Sequence, residues 1–276
     1  MPQLWLCSRA YRVVMTPIRI LQLSDCHITP VVGELFRGVD PRQTLAAIVE
    51  QLIASKQKFD HLLLTGDLVH HGDAAIYKEL IQLLAPLNLP MSWIAGNHDD
   101  PAVMQQANSS LFQPLLTFGD WQILSLDSNH APNGRGSGSL SDESLAFVER
   151  HLTDESKHSL IVLHHNPLAS GTAWQDEIML GNADKFWSVV ADQPACKAVI
   201  CGHLHQALAW QKHHIQVWSA PSTAAQFCPN TDQVEIEQQQ PDAWPGYRIY
   251  QLWPDGRIDT QLQRVDDSAK IFDTKP

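Results

Sequence analysis

Five short polar clusters, each directly behind an apolar run, constrain this chain more than any other feature of its sequence. In chain order they are Asp25-Cys26-His27, Gly66-Asp67, Gly96-Asn97-His98-Asp99, His164-His165-Asn166-Pro167 and Gly202-His203-Leu204-His205. Ligands of α/β sheets bind outside the carboxyl ends of the strands. If the apolar runs are strands, all five clusters project toward one edge of the protein and predict a common site.

The apolar runs have the length and composition of buried strands, and several are apolar on both faces. They are 18–23, 62–64, 91–94, 122–126, 160–163 and 198–201. Apolar residues at helical spacing lie between them, at 45–53, 76–84, 145–152 and 186–190. Pro41 suits the first turn of the first helix, and Ser141 or Asp142 caps the third. This alternation predicts a layered α/β (α+β) protein.

The end of the chain predicts a β-hairpin at 247–265. Two strand-like segments, 248–253 and 257–262, flank the turn sequence Pro254-Asp255-Gly256. Nothing in the composition marks a linker between independent domains. We therefore expect a single domain over 1–276, with an N-terminal extension at 1–17.

Charge and composition disfavour several classes of protein. The net charge is −11 without a strongly basic stretch, so binding to nucleic acid is not expected. No apolar run approaches the ~20 residues of a membrane span, and the first residues lack the pattern of a signal peptide. The five cysteines include no C-x-x-C pair, which predicts reduced thiols. These features predict a cytoplasmic protein away from membranes and leave its oligomeric state open.

The donor chemistry of the clusters indicates bound metal ions. Two aspartates, an asparagine amide and several imidazoles form a mixed oxygen and nitrogen set, which suits Mn²⁺, Fe or Zn²⁺ better than Ca²⁺ or Mg²⁺. Six or seven ligands exceed one tetrahedral site, whereas two metals ~3.5–4 Å apart with a bridging carboxylate use the whole set. Such a pair clamps a phosphoryl group, activates water and makes a positive site within an acidic protein.

The clusters, in this order, resemble the calcineurin-like metallophosphoesterase superfamily, whose signature is D-x-H, G-D, G-N-H-D/E, H and G-H-x-H. Within it, the chain is most similar to bacterial class III 3′,5′-cyclic-AMP phosphodiesterases. The segments that carry this closer resemblance are 21–25, 163–165, 201–206, 220–223 and 226–227. The resemblance implies a sandwich of two central β-sheets flanked by helices. It also implies two divalent ions per chain, Fe²⁺ and/or Mn²⁺, with Zn²⁺ as an alternative.

Carried over residue by residue, the resemblance implies seven metal ligands. They are Asp25, His27 and His205 for the first metal, Asn97, His164 and His203 for the second, and Asp67 as the bridge. His98 would face the phosphate as an acid or electrostatic partner, with Asp99 orienting it. The residues implied to contact substrate are His27, Asp67, Asn97, His98, His164 and His205.

The first hypothesis for function is hydrolysis of 3′,5′-cyclic AMP to 5′-AMP, by in-line attack of a metal-bound hydroxide on phosphorus. A second is a broader phosphodiesterase acting on other cyclic nucleotides or phosphodiesters. A third is a metal-bound scaffold without catalysis, although no ligand of the signature is missing. A serine/threonine phosphatase is disfavoured, because 66–72 lacks the phosphate-gripping arginine of G-D-x-V-D-R-G.

Some residues inside the motifs have competing interpretations. Asp99 could instead cap a helix that begins near Pro101. His165 is expected to be structural or to lie at the rim of the site. Strand alternation should point the side chain of Cys26 away from the metals.

Other residues beside the motifs also have more than one interpretation. His70 and His71 are expected to be rim or solvent-facing groups. Trp174 could stack on a nucleobase, and 221–223 could be either a plain turn or part of the site wall. Asn166 stands where relatives of this type often carry His or Pro. We expect this difference to affect contacts with the substrate more than metal binding.

Overall fold

The computed structural model describes residues 15–266, so the expected extension at 1–17 lies almost entirely outside the described residues. Within them the strands are β1 (Ile18–Leu23), β2 (His61–Thr65), β3 (Met91–Ile94), β4 (Leu115–Phe118), β5 (Trp121–Ser125), β6 (His158–Val162), β7 (Cys196–Cys201), β8 (Ala209–Lys212), β9 (Ile215–Ser219), β10 (Gly246–Leu252) and β11 (Ile258–Arg264). The α-helices are α1 (Pro41–Ser55), α2 (Ala74–Leu84), α3 (Pro101–Asn108), α4 (Asp142–Leu152), α5 (Ala173–Asp176) and α6 (Ala183–Val190).

The strands form two mixed sheets. The first has the order β11-β10-β1-β2-β3. Its strands β1, β2 and β3 are parallel, β10 is antiparallel to β1, and β11 is antiparallel to β10. The second has the order β4-β5-β6-β7-β9-β8, in which only the edge strands β4 and β8 are antiparallel. The parallel strands of each sheet therefore bring their carboxyl ends to one edge.

The two sheets pack face to face, and helices cover their outer faces. Alternation along β1 points Ile20 into the layer between the sheets, where it joins Trp121 and Ile200 of the second sheet. It points Leu21 and Leu23 outward, into a core shared with α1, α2 and α3. The second sheet is covered in the same way by α4 and α6. The expected sandwich of two sheets flanked by helices is confirmed.

Side-chain caps set the starts of several helices. The Asp40 carboxylate accepts hydrogen bonds from the first turn of α1, and Pro41 occupies the first helical position, as expected. Ser141 caps α4, which decides between the two candidates at that helix. Asp100 caps α3, so Asp99 is not the cap of that helix.

The expected strands are all present, but β4, β8 and β9 lacked a clear sequence signal. The edge strands β4 and β8 are four residues each and alternate between exposed and half-buried positions, so neither makes a long apolar run. The C-terminal hairpin pairs as expected, and the Tyr250 hydroxyl donates to Gln22 Oε1 at 2.7 Å, which ties it to β1. No helix within residues 15–266 has the length and hydropathy needed to cross a membrane.

Candidate metal centre

The predicted ligands lie where strands of the two sheets end, on backbone that few residue types adopt. Five of them have a positive φ, between +46° and +70°: Asp25, His27, Asp67, His203 and His205. Left-handed backbone at a non-glycine residue costs about 1–3 kcal/mol and persists where the surrounding structure imposes it. Strain repeated at five converging residues indicates that the fold is built to aim these side chains.

Two glycines leave the room that these close turns need. Gly66 has φ +94°, and a Cβ there would collide with the His164 ring and the Gly96 backbone. A Cβ on Gly96 would collide with the Asp67 carboxylate and backbone. Only glycine therefore fits at these two positions.

The first buried cluster consists of Asp25, His27 and His205. The two imidazoles bring their Nε2 atoms to 3.1 Å from each other. His205 Nε2 lies 3.4 Å from Asp25 Oδ1. All three side chains are almost completely buried, and the ligand atoms that they offer lie within 4.8 Å of one another.

The second buried cluster consists of Asp67, His164 and His203, with Asn97 beside it. His164 Nε2 lies 3.4 Å from Asp67 Oδ2, 3.2 Å from His203 Nδ1 and 3.2 Å from Asn97 Oδ1. The ligand atoms of Asp67, His164 and His203 lie within 4.8 Å of one another. The structure thus gathers the second set of residues that the motifs suggested.

Asp67 links the two clusters. Its Oδ2 atom lies 3.4 Å from His164 Nε2 and 3.7 Å from His27 Nε2. Its other oxygen, Oδ1, accepts a 2.8 Å hydrogen bond from the backbone N–H of His98, which fixes the carboxylate. A single carboxylate oxygen between two donor sets is the geometry that a bridging ligand needs.

Outer hydrogen bonds orient three of the imidazoles. Each directs its outer ring nitrogen at a backbone carbonyl: His164 Nδ1 at Thr65 (2.9 Å), His205 Nδ1 at Ala225 (2.7 Å) and His203 Nε2 at Ile178 (3.1 Å). A carbonyl only accepts, so the outer nitrogen carries the hydrogen and the inner nitrogen faces the site. Metal-binding histidines are commonly held in this way.

Burial and charge shift the pKa values of the site in opposite directions. Desolvation lowers the pKa of His27 and of His203 well below its ordinary value, so both imidazoles are neutral. Burial has the same tendency at His164, but the Asp67 carboxylate outweighs it and raises that pKa to about 9. Burial alone would raise the pKa of Asp67, yet the His164 imidazole holds it well below the usual range.

This donor set fits a pair of divalent cations. The inner nitrogens of the imidazoles converge on two buried carboxylates, and His27 directs its Nε2 atom toward both Asp67 and His205. The proton that His164 and Asp67 hold between them is one that a cation displaces on binding. We therefore expect the two clusters to hold two metal ions, with Asp67 between them.

Comparison with known proteins agrees with this geometry. The sequence profile described as calcineurin-like phosphoesterase matches residues 18–207. This chain belongs to the calcineurin-like phosphoesterase family. The family assignment rests on more than half of the chain, including all five polar clusters.

Two similar relatives are each named 3′,5′-cyclic adenosine monophosphate phosphodiesterase CpdA. The protein from Vibrio vulnificus is 36% identical over 266 residues, which cover 93% of each chain. The protein from Pseudomonas aeruginosa is 32% identical over 253 residues, which cover 91% of each chain. A solved dimetal phosphatase from Danio rerio has a TM-score of 0.63 at 13% identity, covering 91% of this chain and 100% of that one. At 13% identity, the similarity to the Danio rerio structure shows the fold alone.

The candidate phosphoesterase site opens into a cavity of about 350 Å³. Besides the two clusters, it is lined by residues that the motifs did not indicate, among them Phe36, Arg37, Arg135 and Phe227. Phe36 stacks on His27 at a ring-centroid distance of 4.0 Å, and Phe227 stacks on His205 at 4.2 Å. Phe36 comes from a loop without a motif, whereas Phe227 lies in the segment 226–227 that carried part of the resemblance. Only the folded chain reveals that both rings stack on the site's imidazoles.

The interpretation of Asp99 needs correction. Its carboxylate accepts hydrogen bonds from the backbone N–H groups of Leu68, Val69 and Gly96 and from the Tyr77 hydroxyl, at 2.8–3.1 Å. These bonds join the two loops behind the site and leave no oxygen directed at the His98 imidazole. Asp99 therefore positions the loops of this phosphoesterase fold and does not orient His98 directly.

His98 lies half-buried at the edge of the cavity. Its ring centroid is 5.1 Å from that of His27, and its Nδ1 atom is 3.3 Å from His71 Nε2. Burial lowers the pKa of His98. His70 lines the same cavity, and His71 is exposed beside it, which agrees with the expected rim position of both.

Other residues near the motifs support the site from behind. His165 is fully buried between Ser128 Oγ (2.7 Å) and the Gly136 carbonyl (2.9 Å), so its role is structural. Cys26 packs into the core beneath the helices, as expected. Because β1 ends at Leu23, strand alternation is not the reason for this direction.

The segment 221–223 braces the first ligand. The Ser222 hydroxyl donates to the Asp25 carbonyl at 2.7 Å, and the Thr223 N–H donates to the Ser24 carbonyl at 3.0 Å.

The amide of Asn166 donates to the Leu168 carbonyl at 2.7 Å, whereas its Oδ1 is buried without a partner. Both segments thus hold neighbouring backbone.

Proposed function

We propose that this chain is a dinuclear metal-dependent phosphodiesterase that hydrolyses 3′,5′-cyclic AMP to 5′-AMP. The observation that carries the proposal is the pair of buried Asp/His clusters joined by Asp67 at the floor of an open cavity. The names of the two curated relatives, which match the chain nearly end to end, support cyclic AMP as the substrate.

The metal ligands are assigned to the two clusters. Asp25, His27 and His205 would hold the first ion, Asn97, His164 and His203 the second, and Asp67 both. The mixed oxygen and nitrogen donors favour Fe²⁺ and/or Mn²⁺, with Zn²⁺ as an alternative. When bound, these ions supply Lewis acidity toward the phosphate and activate water. The remaining chemistry belongs to the side chains of the chain itself.

We assign to His98 the role of the general acid that donates a proton to the leaving oxygen. Ring opening breaks the bond between phosphorus and the ribose 3′ oxygen, and that alkoxide needs a proton or strong charge stabilisation. The His98 backbone is held by Asp67, while its imidazole lies at the cavity edge. Burial lowers the pKa of His98, whereas a phosphate anion beside the ring favours its protonated form.

The outer wall of the cavity suits the rest of a nucleotide. Arg37 and Arg135 supply positive charge at its lining. Trp174 is half-buried there and meets Phe227 edge-on at a centroid distance of 5.3 Å. A purine base has the flat apolar faces that such aromatic side chains stack against. We place the base against Trp174.

The test is a panel of substrates on the full chain reconstituted with Mn²⁺. It compares 3′,5′-cyclic AMP, 3′,5′-cyclic GMP, 2′,3′-cyclic AMP and bis(p-nitrophenyl) phosphate by kcat/KM, with product identity followed by chromatography. We expect 3′,5′-cyclic AMP to exceed its 2′,3′ isomer by at least about tenfold, with 5′-AMP as product. A preference for the isomer, or for the generic diester alone, would contradict the proposal.

Matched histidine variants separate the site from the rest of the protein. His164→Asn removes an assigned ligand and should abolish activity on every substrate. His214→Asn changes an exposed histidine whose Nε2 faces the Gln193 carbonyl at 3.1 Å, and it should behave as the parent enzyme. Retained activity in His164→Asn would contradict the metal assignment.

A further inference from the structure

Three histidines from two loops meet at the mouth of the catalytic cavity. We call His70, His71 and His98 the rim triad. The ring centroids are 4.7 Å apart for His70 and His71, 4.9 Å for His70 and His98, and 5.1 Å for His71 and His98. One nitrogen from each ring lies within 4.8 Å of the other two. The two buried clusters already account for every assigned metal ligand, so the rim triad is additional.

The backbone on both sides of the rim triad is held in place. Val69 pairs with Ile28, and the His70 N–H donates to the Ile28 carbonyl at 2.9 Å. His71 follows with φ +59°, a left-handed conformation that turns the chain toward α2. His98 is fixed by its backbone bond to Asp67. The convergence of the three rings is therefore imposed by ordered backbone.

The nitrogen spacing in the rim triad suits a transition-metal ion. His98 Nδ1 and His71 Nε2 are 3.3 Å apart. Two nitrogens bound tetrahedrally to zinc at about 2.0–2.1 Å are separated by about 3.3 Å, the same spacing. His70 adds a third imidazole, one nitrogen of which lies within 4.8 Å of the ligand atoms of the other two. Its Nδ1 atom is buried without a hydrogen-bond partner. Three imidazoles with an open fourth position form a ligand set that zinc uses in proteins.

An ion can reach the rim triad from solvent. His71 is exposed. His71 and His98 also line a groove of about 740 Å³ that lies beside the catalytic cavity. Asp67 favours a cation near His70, whereas Arg37 opposes it. An added ion must therefore be held by the imidazoles themselves, which favours Zn²⁺ or a similar transition ion over Ca²⁺ or Mg²⁺.

We propose that His70, His71 and His98 form a third metal site, which binds one Zn²⁺ ion at the mouth of the cavity and inhibits the enzyme. The binding is independent of the proposed activity, whereas the inhibition rests on the role assigned to His98. A zinc ion on one nitrogen of His98 leaves a proton only on the other nitrogen. A metal-bound neutral imidazole gives up that proton far less readily than an imidazolium ion, so the leaving oxygen loses its acid.

The decisive variant is His71→Asn, compared with His213→Asn. Both positions are exposed and have left-handed backbone, at φ +59° and +56°, which asparagine tolerates. Because His71 Nε2 lies 3.3 Å from His98 Nδ1, the rate of each variant is compared with its own rate in zinc-free buffer. His213 lies in the turn between β8 and β9 and serves as the control for a lost surface histidine.

The binding experiment uses the full chain loaded with Mn²⁺ and dialysed against increasing Zn²⁺, with both metals measured by mass spectrometry. Because Zn²⁺ can replace Mn²⁺ at the two buried clusters, the total of both metals is counted. The parent and His213→Asn should rise from about two to about three ions per chain. His71→Asn should bind the added zinc at least about tenfold more weakly, because it lacks one ligand. A total that stays at about two ions per chain in the parent, or a third ion bound equally well by His71→Asn, would overturn the site.

The inhibition experiment follows cyclic AMP hydrolysis under the same conditions. The zinc concentration that halves the rate should rise at least about tenfold in His71→Asn and stay unchanged in His213→Asn. Extra zinc bound without a change in rate would overturn the inhibitory role. If cyclic AMP proved not to be the substrate, the zinc stoichiometry would still decide the site, because it is measured without substrate.

Discussion

Asp67 should be the most damaging single ligand to lose, because its Oδ2 atom reaches toward both clusters. Asn97 lies only beside the second cluster, 3.2 Å from His164. We expect Asp67→Ala to retain fewer than about one metal ion per chain under conditions in which Asn97→Ala keeps at least about one. Metal analysis after gel filtration checks this, and equal metal contents in the two variants would refute the bridging assignment.

His98 should matter in proportion to how poor the leaving group is. General acid catalysis contributes about 10²- to 10⁴-fold, and a p-nitrophenolate leaves without such help. His98→Asn should therefore keep its metal content and lose far more kcat on 3′,5′-cyclic AMP than on bis(p-nitrophenyl) phosphate. Equal losses on both substrates would indicate that His98 acts by positioning or by charge.

At the scale of elements, one ion pair ties α1 to α2 and to the loop behind the first ligands. Arg42 Nε and Nη2 bind the two Glu79 carboxylate oxygens at 2.7 and 2.9 Å. The same guanidinium donates to the Thr29 carbonyl at 2.8 Å. The ion pair lowers the pKa of Glu79, chiefly because the Arg42 guanidinium donates hydrogen bonds to the Glu79 carboxylate. The Glu79 carboxylate thus helps Arg42 to hold α1, α2 and the loop at Thr29 together.

Glu79→Gln should lower the free energy of unfolding by about 1–2 kcal/mol at neutral pH. Because the folded-state pKa of Glu79 is lowered, its contribution is present above the ordinary glutamate pKa of about 4.3. That contribution disappears as the pH falls through the folded-state pKa. Urea unfolding at several pH values checks this, with Glu50→Gln on the exposed face of α1 as the control. A loss that does not shrink in acid would contradict the ion-pair explanation.

For the whole molecule, the metal site lies at the ends of strands whose cores are complete without it. Apolar side chains fill the layer between the sheets and both layers beneath the helices. The assigned ligands lie on loops beyond the strand ends, where hydrogen bonds to backbone carbonyls already hold them. Metal removal should therefore affect the site much more than the fold.

Chelation with EDTA should abolish activity and lower the melting temperature, because a bound metal stabilises only the folded chain. The far-UV circular dichroism should remain that of the native protein. Mn²⁺ or Fe²⁺ should restore activity, whereas Ca²⁺, which prefers oxygen ligands, should not. Loss of the cooperative unfolding transition on chelation would mean that the metals are needed for folding.

The layered fold was predictable from the sequence alone, and the resemblance to metallophosphoesterases implied which residues would make up the two clusters. The reason is local: each apolar run forms a buried strand, and each polar cluster follows directly behind one. Parallel strands end at a common edge, so Asp25, Asp67 and His203 had to approach one another once the sheets formed.

Only the tertiary structure decided which partners each of these groups has. Asp99 is next to His98 in the chain, yet its carboxylate serves the loop of Leu68 behind the site. His71 and His98 are far apart in the sequence and meet at 3.3 Å. A side chain's direction depends on the backbone angles at its residue and on the loops packed around it. Spacing along the chain carries neither, so contacts between loops emerge only when the sheets have packed.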